Sequence, residues 1–427
     1  MVKIFLYFFM LSNIFALDFT INTRGECDKN CDNTVLVFGG IQGDEPGGFH
    51  AASLLLTNYT FTKGKVIVVP NLAFDSIIAR NRGTNGDLNR KFAAIKDNDP
   101  DFNTIQRIKS LILLPEVKLI VNLHDGSGYF SPKYISKDKN PNRWGNSCII
   151  DQKNINAKYG NLEEIASNTC ASINERLLHK LHSYHLKNTN TKDGDEEMLK
   201  SLTYFAITNK KAAFANEASK DLPTHERAYY HLIALESYLK AAGIEFTRDF
   251  DLNPYSVKKV IEQPIYVTLD NRFLLFLKNS RNRLNYIPVK KDFNYQASNE
   301  LTAIYKDKNS FIVQYGNRFQ TRLYLDNKIE YSNLINKLNL NIDKRIINTN
   351  FATIHDAYDS FMVYPINGAR VNIIGYNAKG DEAGILIKKN MLQKSFSVDK
   401  NGNIYRVEVY ENDKIIGAIL INFKDKK

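Results

Sequence analysis

Short apolar runs alternate with helical patterns through the first half of the chain, and this alternation limits the fold more than any other sequence feature. Runs that are apolar at nearly every position are typical of strands buried on both faces of a sheet. Strands that alternate with helices predict a mostly parallel α/β sheet, whose ligands bind at the carboxyl ends of the strands. The predicted strands are residues 34–38, 65–69, 117–121 and 212–215, and the predicted helices are residues 46–59, 102–114, 162–186 and 224–242.

The pattern changes near residue 250, where short runs of alternating apolar and polar residues replace the helical periodicity. Asn-Gly pairs at residues 367–368 and 401–402 separate several of these runs, as tight turns between strands do. The Asn-rich stretch 333–350 is predicted to join two small all-β domains. We therefore predict an α/β domain over residues 17–245 and two β domains over residues 250–335 and 350–427.

Residues 1–16 are predicted to form a signal peptide. Lys3 is followed by a mostly apolar run that ends at Ala16. A charged start, a short apolar core and a small residue at the exit are typical of a secretory signal. The run is shorter than the roughly 20 residues that span a bilayer. Cleavage after Ala16 predicts an exported, soluble protein with no stable membrane insertion, and an uncleaved anchor is the alternative.

Export permits disulfide bonds between the four cysteines of the chain. Cys27 and Cys31 flank a polar, turn-like segment and could close a small loop, which would leave Cys148 and Cys170 as a second pair. Four cysteines allow three pairings, and the sequence does not choose between them. A zinc site of four cysteines is disfavoured because the chain lacks paired Cys-x-x-Cys spacing.

The charge balance favours an anionic partner. The chain carries 57 Lys and Arg against 46 Asp and Glu, which gives a formal net charge of +11. The basic residues are scattered among acidic ones, and the sequence has neither zinc-finger spacing nor an RNA-binding motif. Nucleic acid is therefore not a predicted partner. The sequence leaves the oligomeric state open.

Three side chains that suit a zinc ion lie at the ends of two predicted strands. Gln42 and Glu45 are three residues apart, in the glycine-rich turn between the first strand and its helix, so both can reach one point. His124 ends a later strand. Such a set of oxygen and nitrogen donors, with a fourth position open to water, is the layout of a catalytic zinc site. Asp44 and Asp125, beside these residues, are expected to orient the ligands rather than bind metal.

Two further segments carry groups that could bind and cleave a peptide. The loop 80–92 gathers guanidinium and amide donors, among them Arg80, Asn89 and Arg90, which could hold a carboxylate. Glu217 follows the short predicted strand 212–215, where a carboxylate can take a proton from water and pass it to a leaving amine. Each signal is weak alone, but together, in this order and at strand ends, the signals are specific.

The combination resembles the zinc metallocarboxypeptidases of the carboxypeptidase A type, over residues 35–240. The resemblance implies that Glu45 and His124 bind one zinc ion and that Glu217 is the catalytic base and acid. It also implies that Asn89 and Arg90 clamp the terminal carboxylate of the substrate. It further implies an arginine that polarises the scissile carbonyl and a mobile tyrosine over the substrate, for which the candidates are Arg80, its near alternative Arg82, and Tyr204.

Gln42 stands where that family has a histidine. A glutamine oxygen is a poorer zinc ligand than imidazole, so the substitution implies weaker metal binding. The same substitution, the signal peptide and the trailing β domains resemble the periplasmic peptidoglycan carboxypeptidases that set cell shape in helical and curved Gram-negative bacteria. That resemblance implies an immunoglobulin-like last domain. It also implies a D,L-carboxypeptidase that trims the muramyl tripeptide of peptidoglycan stem peptides to a dipeptide and releases meso-diaminopimelate.

Two other functions compete with this interpretation. An amidohydrolase of the aspartoacylase/succinylglutamate desuccinylase kind would use the same glycine-rich turn and Asp-Leu-Asn-Arg loop, but export argues against it. A non-catalytic protein that binds the cell wall would explain Gln42 as the mark of lost chemistry. A separate row of histidines, His179, His182 and His185, recurs on the predicted helix 162–186, and we expect it to be solvated rather than to bind metal.

Overall fold

The computed structural model describes residues 17–26, 33–326, 328–378 and 380–425. The predicted signal peptide, Cys27 and Cys31 lie outside the described residues. The chain divides into two compact units, of which one contains residues 17–263 and the other residues from 264 onwards. Within the described residues, no helix is both long enough and apolar enough to cross a membrane.

The first unit contains a large mixed sheet with helices packed against it. The strands of the whole unit, including two small two-stranded sheets, are β1 (Asn22–Arg24), β2 (Thr34–Phe38), β3 (Tyr59–Lys63), β4 (Val66–Val69), β5 (Val117–Gly126), β6 (Tyr129–Phe130), β7 (Lys139–Asn140), β8 (Ser147–Ile150), β9 (His185–Asn188), β10 (Ala212–Ser219) and β11 (Glu245–Arg248). Its helices are α1 (Pro46–Thr57), α2 (Phe74–Ala79), α3 (Phe102–Ile112), α4 (Leu162–Asn174), α5 (Thr191–Gly194), α6 (Leu202–Thr208), α7 (Thr224–Ala241) and α8 (Pro254–Ile261).

The spatial order of the large sheet is β1-β4-β2-β5-β10-β8-β9. Its four central strands, β4, β2, β5 and β10, run parallel, and β1 and β8 join them in the antiparallel sense. The prediction of a mostly parallel α/β sheet is therefore confirmed. Since β2, β5 and β10 are neighbours with the same direction, their carboxyl ends meet at one edge of the sheet.

The central strands are apolar on both faces because both faces are covered. Every residue of β2 and β4 is buried, and their side chains share one core with those of α1 and α7. Each fully buried Val, Leu or Ile stabilises the fold by about 1.5–3 kcal/mol relative to an exposed one. This core fixes the strand ends that carry the candidate site.

The structure corrects two predicted elements of the first unit. Helix α4 ends at Asn174 rather than continuing to residue 186, because the Asn174 side chain binds both the N–H and the carbonyl of Tyr184 and turns the chain back. Residues 254–261 form helix α8, where only β structure was expected. Its Val257 and Ile261 are buried in the core of the first unit.

The second unit is all β apart from short 3₁₀ turns in its described residues. Its strands are β12 (Tyr266–Leu269), β13 (Phe273–Phe276), β14 (Arg283–Ile287), β15 (Tyr295–Ala297), β16 (Thr302–Asp307), β17 (Ser310–Tyr315), β18 (Arg318–Leu325), β19 (Glu330–Tyr331), β20 (Lys337–Ile342), β21 (Arg345–Asn350), β22 (Ile354–Ala357), β23 (Ser360–Val363), β24 (Arg370–Ile373), β25 (Ile387–Lys388), β26 (Ile404–Glu411) and β27 (Lys414–Phe423). Its first part contains the sheets β13-β12-β15 and β14-β18-β17-β16.

Its last part has two sheets that share one core, which is the arrangement of a β-sandwich. The sheets are β19-β27-β26-β24, with β22 paired to β27, and β21-β20-β23-β25. The stretch 333–350 is not a linker, because β20 and β21 within it pair with each other and β20 pairs with β23. Alternate residues of β20, Leu338, Leu340 and Ile342, are buried in the shared core. The division of this unit into separate domains at 250–335 and 350–427 stays a prediction.

Candidate active site

Gln42, Glu45 and His124 converge at the carboxyl edge of the large sheet. Gln42 and Glu45 lie in the turn between β2 and α1, with Glu45 at the N-cap of α1, and His124 lies near the end of β5. The Nδ1 atom of His124 is 3.1 Å from the Gln42 Oε1 atom and 3.0 Å from the Glu45 Oε2 atom. All three side chains are buried. The structure thus brings the three predicted ligands together, and we call them the triad below.

Asp87 fixes the direction of the Gln42 amide. The Gln42 Nε2 atom donates to both carboxylate oxygens of Asp87, at 2.9 and 3.0 Å, and this leaves Gln42 Oε1 facing the triad. Arg82 Nε also donates to Asp87, at 2.9 Å. Burial raises the pKa of Asp87, but the hydrogen bond from Gln42 and the charges of Arg82 and Arg90 outweigh it and lower that pKa. Asp87 is therefore a charged anchor at neutral pH.

The two carboxylate oxygens of Glu45 have different surroundings. Oε2 faces His124 and accepts a hydrogen bond of 3.1 Å from the backbone N–H of Asp125. Oε1 lies 3.6 Å from Arg82 Nη1 and 3.5 Å from Lys220 Nζ. Because two cations flank Oε1, Oε2 is the oxygen that Glu45 offers to the triad.

Asp125 lies beside the triad but points away from it. Its carboxylate accepts hydrogen bonds from the backbone N–H of Gly47 at 2.8 Å, from Arg227 at 3.1 Å and from His231 at 3.1 Å. A β-carbon at residue 47 would come within 2.4 Å of Asp125 Oδ1, so only glycine fits there. Asp44 pairs with Lys220 at 2.6 Å. Both aspartates thus support the site rather than contribute to the triad.

Glu217 is the neighbour of His124 across the sheet, since the two residues are in register between β10 and β5. Glu217 is buried, and its Oε2 atom has no hydrogen-bond partner within the described residues. Burial raises the pKa of Glu217 to about 8; the charges of Glu45 and Asp125 add to this and those of His124 and Lys220 oppose it. Such a carboxyl can hold or release a proton near neutral pH.

A cleft of about 340 Å³ opens over these groups. It is lined by Gln42, Glu45, Arg82, Asn89, Arg90, His124, Asp125, Gly126, Ser127, Trp144, Ile149, Met198, Thr203, Ala215, Glu217 and Lys220. Asp87 accepts a hydrogen bond from the backbone N–H of Asn89, and Arg90 donates to the Asn89 carbonyl oxygen. The predicted carboxylate-binding pair, Asn89 and Arg90, therefore shares one cleft with the triad and Glu217.

Two predicted site residues lie elsewhere. Arg80 is exposed and caps the end of α2 with a left-handed backbone (φ 57°), and it does not line the cleft. Its sequence neighbour Arg82 does line the cleft and contacts Glu45, so the arginine prediction moves from residue 80 to residue 82. Tyr204 packs against the core from α6 and also lies outside the cleft lining. In this structure Tyr204 is therefore a packing residue.

Sequence reasoning missed Lys220 and Trp144. Lys220 follows β10 by one residue, and its backbone N–H donates to Gly126 O at 2.7 Å, which holds it at the rim of the cleft. Its position three residues after Glu217, at a strand end, was an available signal. Trp144 belongs to the segment between β5 and β8, and Lys187 Nζ lies 4.0 Å from the centre of its ring. That contact joins distant parts of the chain, and no local pattern shows it.

The row of three histidines is not helical. His179 is exposed and caps a short 3₁₀ turn, whereas His182 contacts the Tyr230 hydroxyl at 2.9 Å and stacks on Tyr129. His185 lies on β9. The predicted helix 162–186 is wrong here because α4 ends at Asn174, before all three histidines.

Cys148 and Cys170 are buried free thiols, so the structure does not contain a disulfide between them, which was one of the three possible pairings. Cys148 donates a weak hydrogen bond to Asn216 Oδ1 over 3.6 Å. Burial raises the pKa of the Cys148 thiol, and this disfavours the reactive thiolate. Both residues therefore behave as small apolar core groups in this structure.

The donor set of the triad fits a zinc ion. Tetrahedral ligands about 2.0–2.1 Å from zinc lie about 3.3 Å from one another, close to the 3.0 and 3.1 Å between His124 Nδ1 and its two neighbours. Within the described residues, no group of three or more His, Cys, Asp or Glu side chains could hold a metal. The triad is not such a group, because one of its three members is a glutamine, Gln42, which supplies an amide oxygen.

A mostly parallel α/β sheet that gathers this triad, a buried carboxyl and an Asn-Arg pair in one cleft has the arrangement expected of a metal-dependent carboxypeptidase. The chain belongs to the family described as carboxypeptidases controlling helical cell shape, whose catalytic model matches residues 1–262. A model for the C-terminal domain of metallo-carboxypeptidases matches residues 331–424. The prediction of a carboxypeptidase is confirmed.

Several solved structures resemble nearly the whole chain. The product-bound and the tripeptide-bound cell shape determinant protein Csd4 from Helicobacter pylori are each 40% identical to it, cover 95% of this chain and 100% of their own, and have a TM-score of 0.87. Csd4 in its mDAP-bound form, described as a D,L-carboxypeptidase, is 40% identical over 94% of this chain and 100% of its own, also with a TM-score of 0.87. No curated protein sequence matches the chain.

Proposed function

We propose that this protein is an exported, zinc-dependent D,L-carboxypeptidase that trims the muramyl tripeptide of peptidoglycan to a dipeptide and releases meso-diaminopimelate. The observation that carries this proposal is the convergence of Gln42 Oε1, Glu45 Oε2 and His124 Nδ1 beside the buried carboxyl of Glu217. Family membership and the Csd4 structures with tripeptide and with mDAP support the choice of substrate.

Gln42, Glu45 and His124 would hold the zinc ion. Zinc, when bound, would activate a water molecule and polarise the scissile carbonyl. Glu217 then has the part of proton carrier: as a carboxylate it accepts a proton from the attacking water, and it passes that proton to the departing amine nitrogen. Without a metal, burial raises the pKa of Glu217 to about 8. The positive charge of a bound zinc ion would lower this pKa and favour the carboxylate that accepts the proton.

The basic side chains of the cleft match the charge of the proposed substrate. Asn89 and Arg90 are the candidates for holding its terminal carboxylate, because a guanidinium and an amide can donate together to both oxygens. Arg82 lies between Glu45 and Asp87 and is the candidate for stabilising negative charge on the carbonyl oxygen.

The location follows from the same proposal. A cleaved signal peptide at residues 1–16 would deliver the protein to the periplasm, where peptidoglycan stem peptides are its partners. The excess of 57 Lys and Arg over 46 Asp and Glu suits an anionic wall polymer.

Digestion of purified muropeptides tests the proposal. We expect the purified protein to convert muramyl tripeptide to dipeptide, with free meso-diaminopimelate detected by mass spectrometry, and a chelator to stop the reaction until zinc is returned. Tetra- and pentapeptides and N-acyl amino acids serve as comparison substrates. Hydrolysis of the N-acyl amino acids alone would favour the deacylase alternative, and no turnover with intact substrate binding would favour the non-catalytic one.

A further inference from the structure

One wall of the cleft belongs to the segment 127–146, which joins β5 to β8. Ser127 and Trp144, near its two ends, both line the cleft. The backbone N–H of Trp144 donates to the Ser127 carbonyl oxygen at 3.2 Å. A β-carbon at residue 126 would come within 2.7 Å of the Trp144 β-carbon and 2.8 Å of Glu217 Oε2, so only glycine fits there. Trp144 therefore stands beside the proposed proton carrier.

Lys187 contacts this segment from another part of the chain. It lies on β9, at the edge of the large sheet. Its Nζ atom lies 4.0 Å from the centre of the Trp144 ring and 4.6 Å from the centre of the Phe130 ring. The same atom donates to the carbonyl oxygens of Pro141 at 3.2 Å and Arg143 at 3.0 Å. One ammonium group thus contacts two aromatic rings and two backbone acceptors of the segment.

These contacts fix the backbone and the ring of Trp144 together. The two carbonyl acceptors precede Trp144 by three residues and by one residue, and the ammonium that binds them also lies over the indole. A cation is attracted to the face of an aromatic ring, and most strongly to that of tryptophan. Lys187 itself does not line the cleft, so it acts on the cleft through Trp144.

We propose that Lys187 is a positioning residue, whose ammonium holds the Trp144 indole in place as an aromatic wall of the substrate cleft beside Glu217. The inference rests on the proposed function. A ring that is already fixed loses no freedom when the substrate binds, so the fixed wall favours binding. A wall that contacts the substrate equally before and during the reaction affects KM and leaves kcat unchanged. We therefore expect Lys187 to act on KM.

Steady-state kinetics of the full chain on muramyl tripeptide test the inference. Lys187→Met keeps an unbranched side chain but removes the charge and the donors, and we expect KM to rise about tenfold while kcat stays within about threefold. Lys187→Arg restores a cation that stacks on indole, and we expect it to recover most of the loss. The matched control is Lys139→Met, since Lys139 Nζ ties the same segment to the Leu181 carbonyl oxygen, at 2.9 Å, rather than to Trp144. We expect this control to retain the wild-type KM.

Fluorescence of Trp144 reports on the position of the ring directly, because the chain has one tryptophan. We expect acrylamide to quench this fluorescence more strongly in folded Lys187→Met than in the wild type, and equally in Lys139→Met and the wild type. In a Trp144→Leu background, Lys187→Met should raise KM no further, as expected of two residues that act through one contact. The same rise with and without the indole would overturn the inference, as would equal effects of Lys187→Met and Lys139→Met.

Two further measurements cover the case in which Lys187→Met fails to fold. Lys187→Gln, which also lacks the charge, should show the same rise in KM. In the wild type, bound meso-diaminopimelate should shield the indole from acrylamide, and quenching that is unchanged by the bound ligand would overturn the inference. A wild type that neither cleaves the tripeptide nor binds meso-diaminopimelate in calorimetry would overturn the proposed function instead, so the two failures are distinguishable.

Discussion

Both carboxylate oxygens of Asp87 accept hydrogen bonds from the Nε2 atom of Gln42, at 2.9 and 3.0 Å. An amide has a donor end and an acceptor end, and this contact turns the acceptor end towards His124. The relationship supports the proposed role of Gln42 as a metal ligand, since its oxygen faces His124 in one fixed direction. We therefore expect the loss of Asp87 to weaken zinc binding at the proposed site.

Replacing Asp87 by alanine should free the Gln42 amide to rotate. We expect the zinc dissociation constant to rise about 10- to 100-fold, as is usual when a group that orients a ligand is removed. The measurement is chelator competition on the purified variant. Asp99→Ala is the matched control, because Asp99 lies in the same segment but pairs with Lys91 and not with the triad. Equal affinity in the two variants would argue against this role for Asp87.

Replacing Glu217 by glutamine should remove the proton carrier and keep the shape of the site. We expect kcat on the tripeptide to fall by about 10²- to 10⁴-fold, while binding of meso-diaminopimelate, measured by calorimetry, stays within about threefold. Glu163→Gln, a change on the partly exposed surface of α4, should leave kcat unchanged. Turnover by Glu217→Gln at the wild-type rate would assign the proton transfer to another group.

The pKa of Glu217 also predicts how stability depends on pH. In the metal-free folded protein this pKa is about 8, against 4.5 for the free side chain. Between these values the folded state binds more protons than the unfolded state, so the carboxyl lowers stability progressively as the pH rises from 4.5 to about 8. Glu217→Gln does not titrate.

Thermal unfolding in the presence of a chelator measures this difference. We expect the melting temperature of Glu217→Gln, relative to the wild type, to rise across that pH window and to level off above it. A difference that stays constant from about pH 4 to about pH 9 would contradict the raised pKa.

Arg82 and Arg80 should differ sharply in their effect on turnover. Arg82→Gln removes a guanidinium that lines the cleft and contacts Glu45, and we expect kcat/KM to fall about 10²- to 10³-fold. Arg80→Gln changes an exposed side chain outside the cleft lining, and we expect no change. Steady-state kinetics on the tripeptide compare the two. The reverse outcome would restore the assignment made from spacing.

The parallel sheet and the triad could be predicted because their signals are local. The turn from β2 into α1 places Gln42 and Glu45 together. An apolar run such as β5 predicts a buried strand, whose last residues lie at the edge of the sheet. The choice between Arg80 and Arg82 has no local signal. It depends on which arginine reaches Glu45, and the contact between Arg82 and Glu45 joins residues that only the folded chain brings together.

The amino-acid sequence by itself determined which strands are buried, where each ends, and therefore which side chains reach the active edge of the sheet. The tertiary structure decided the direction of each group there: the amide of Gln42 held by Asp87, the cations beside one oxygen of Glu45 and the burial of Glu217. The physical reason is the separation along the sequence between the groups that interact. Burial and strand periodicity act between near neighbours in sequence, whereas hydrogen-bond direction and desolvation arise between groups that only the folded chain brings into contact.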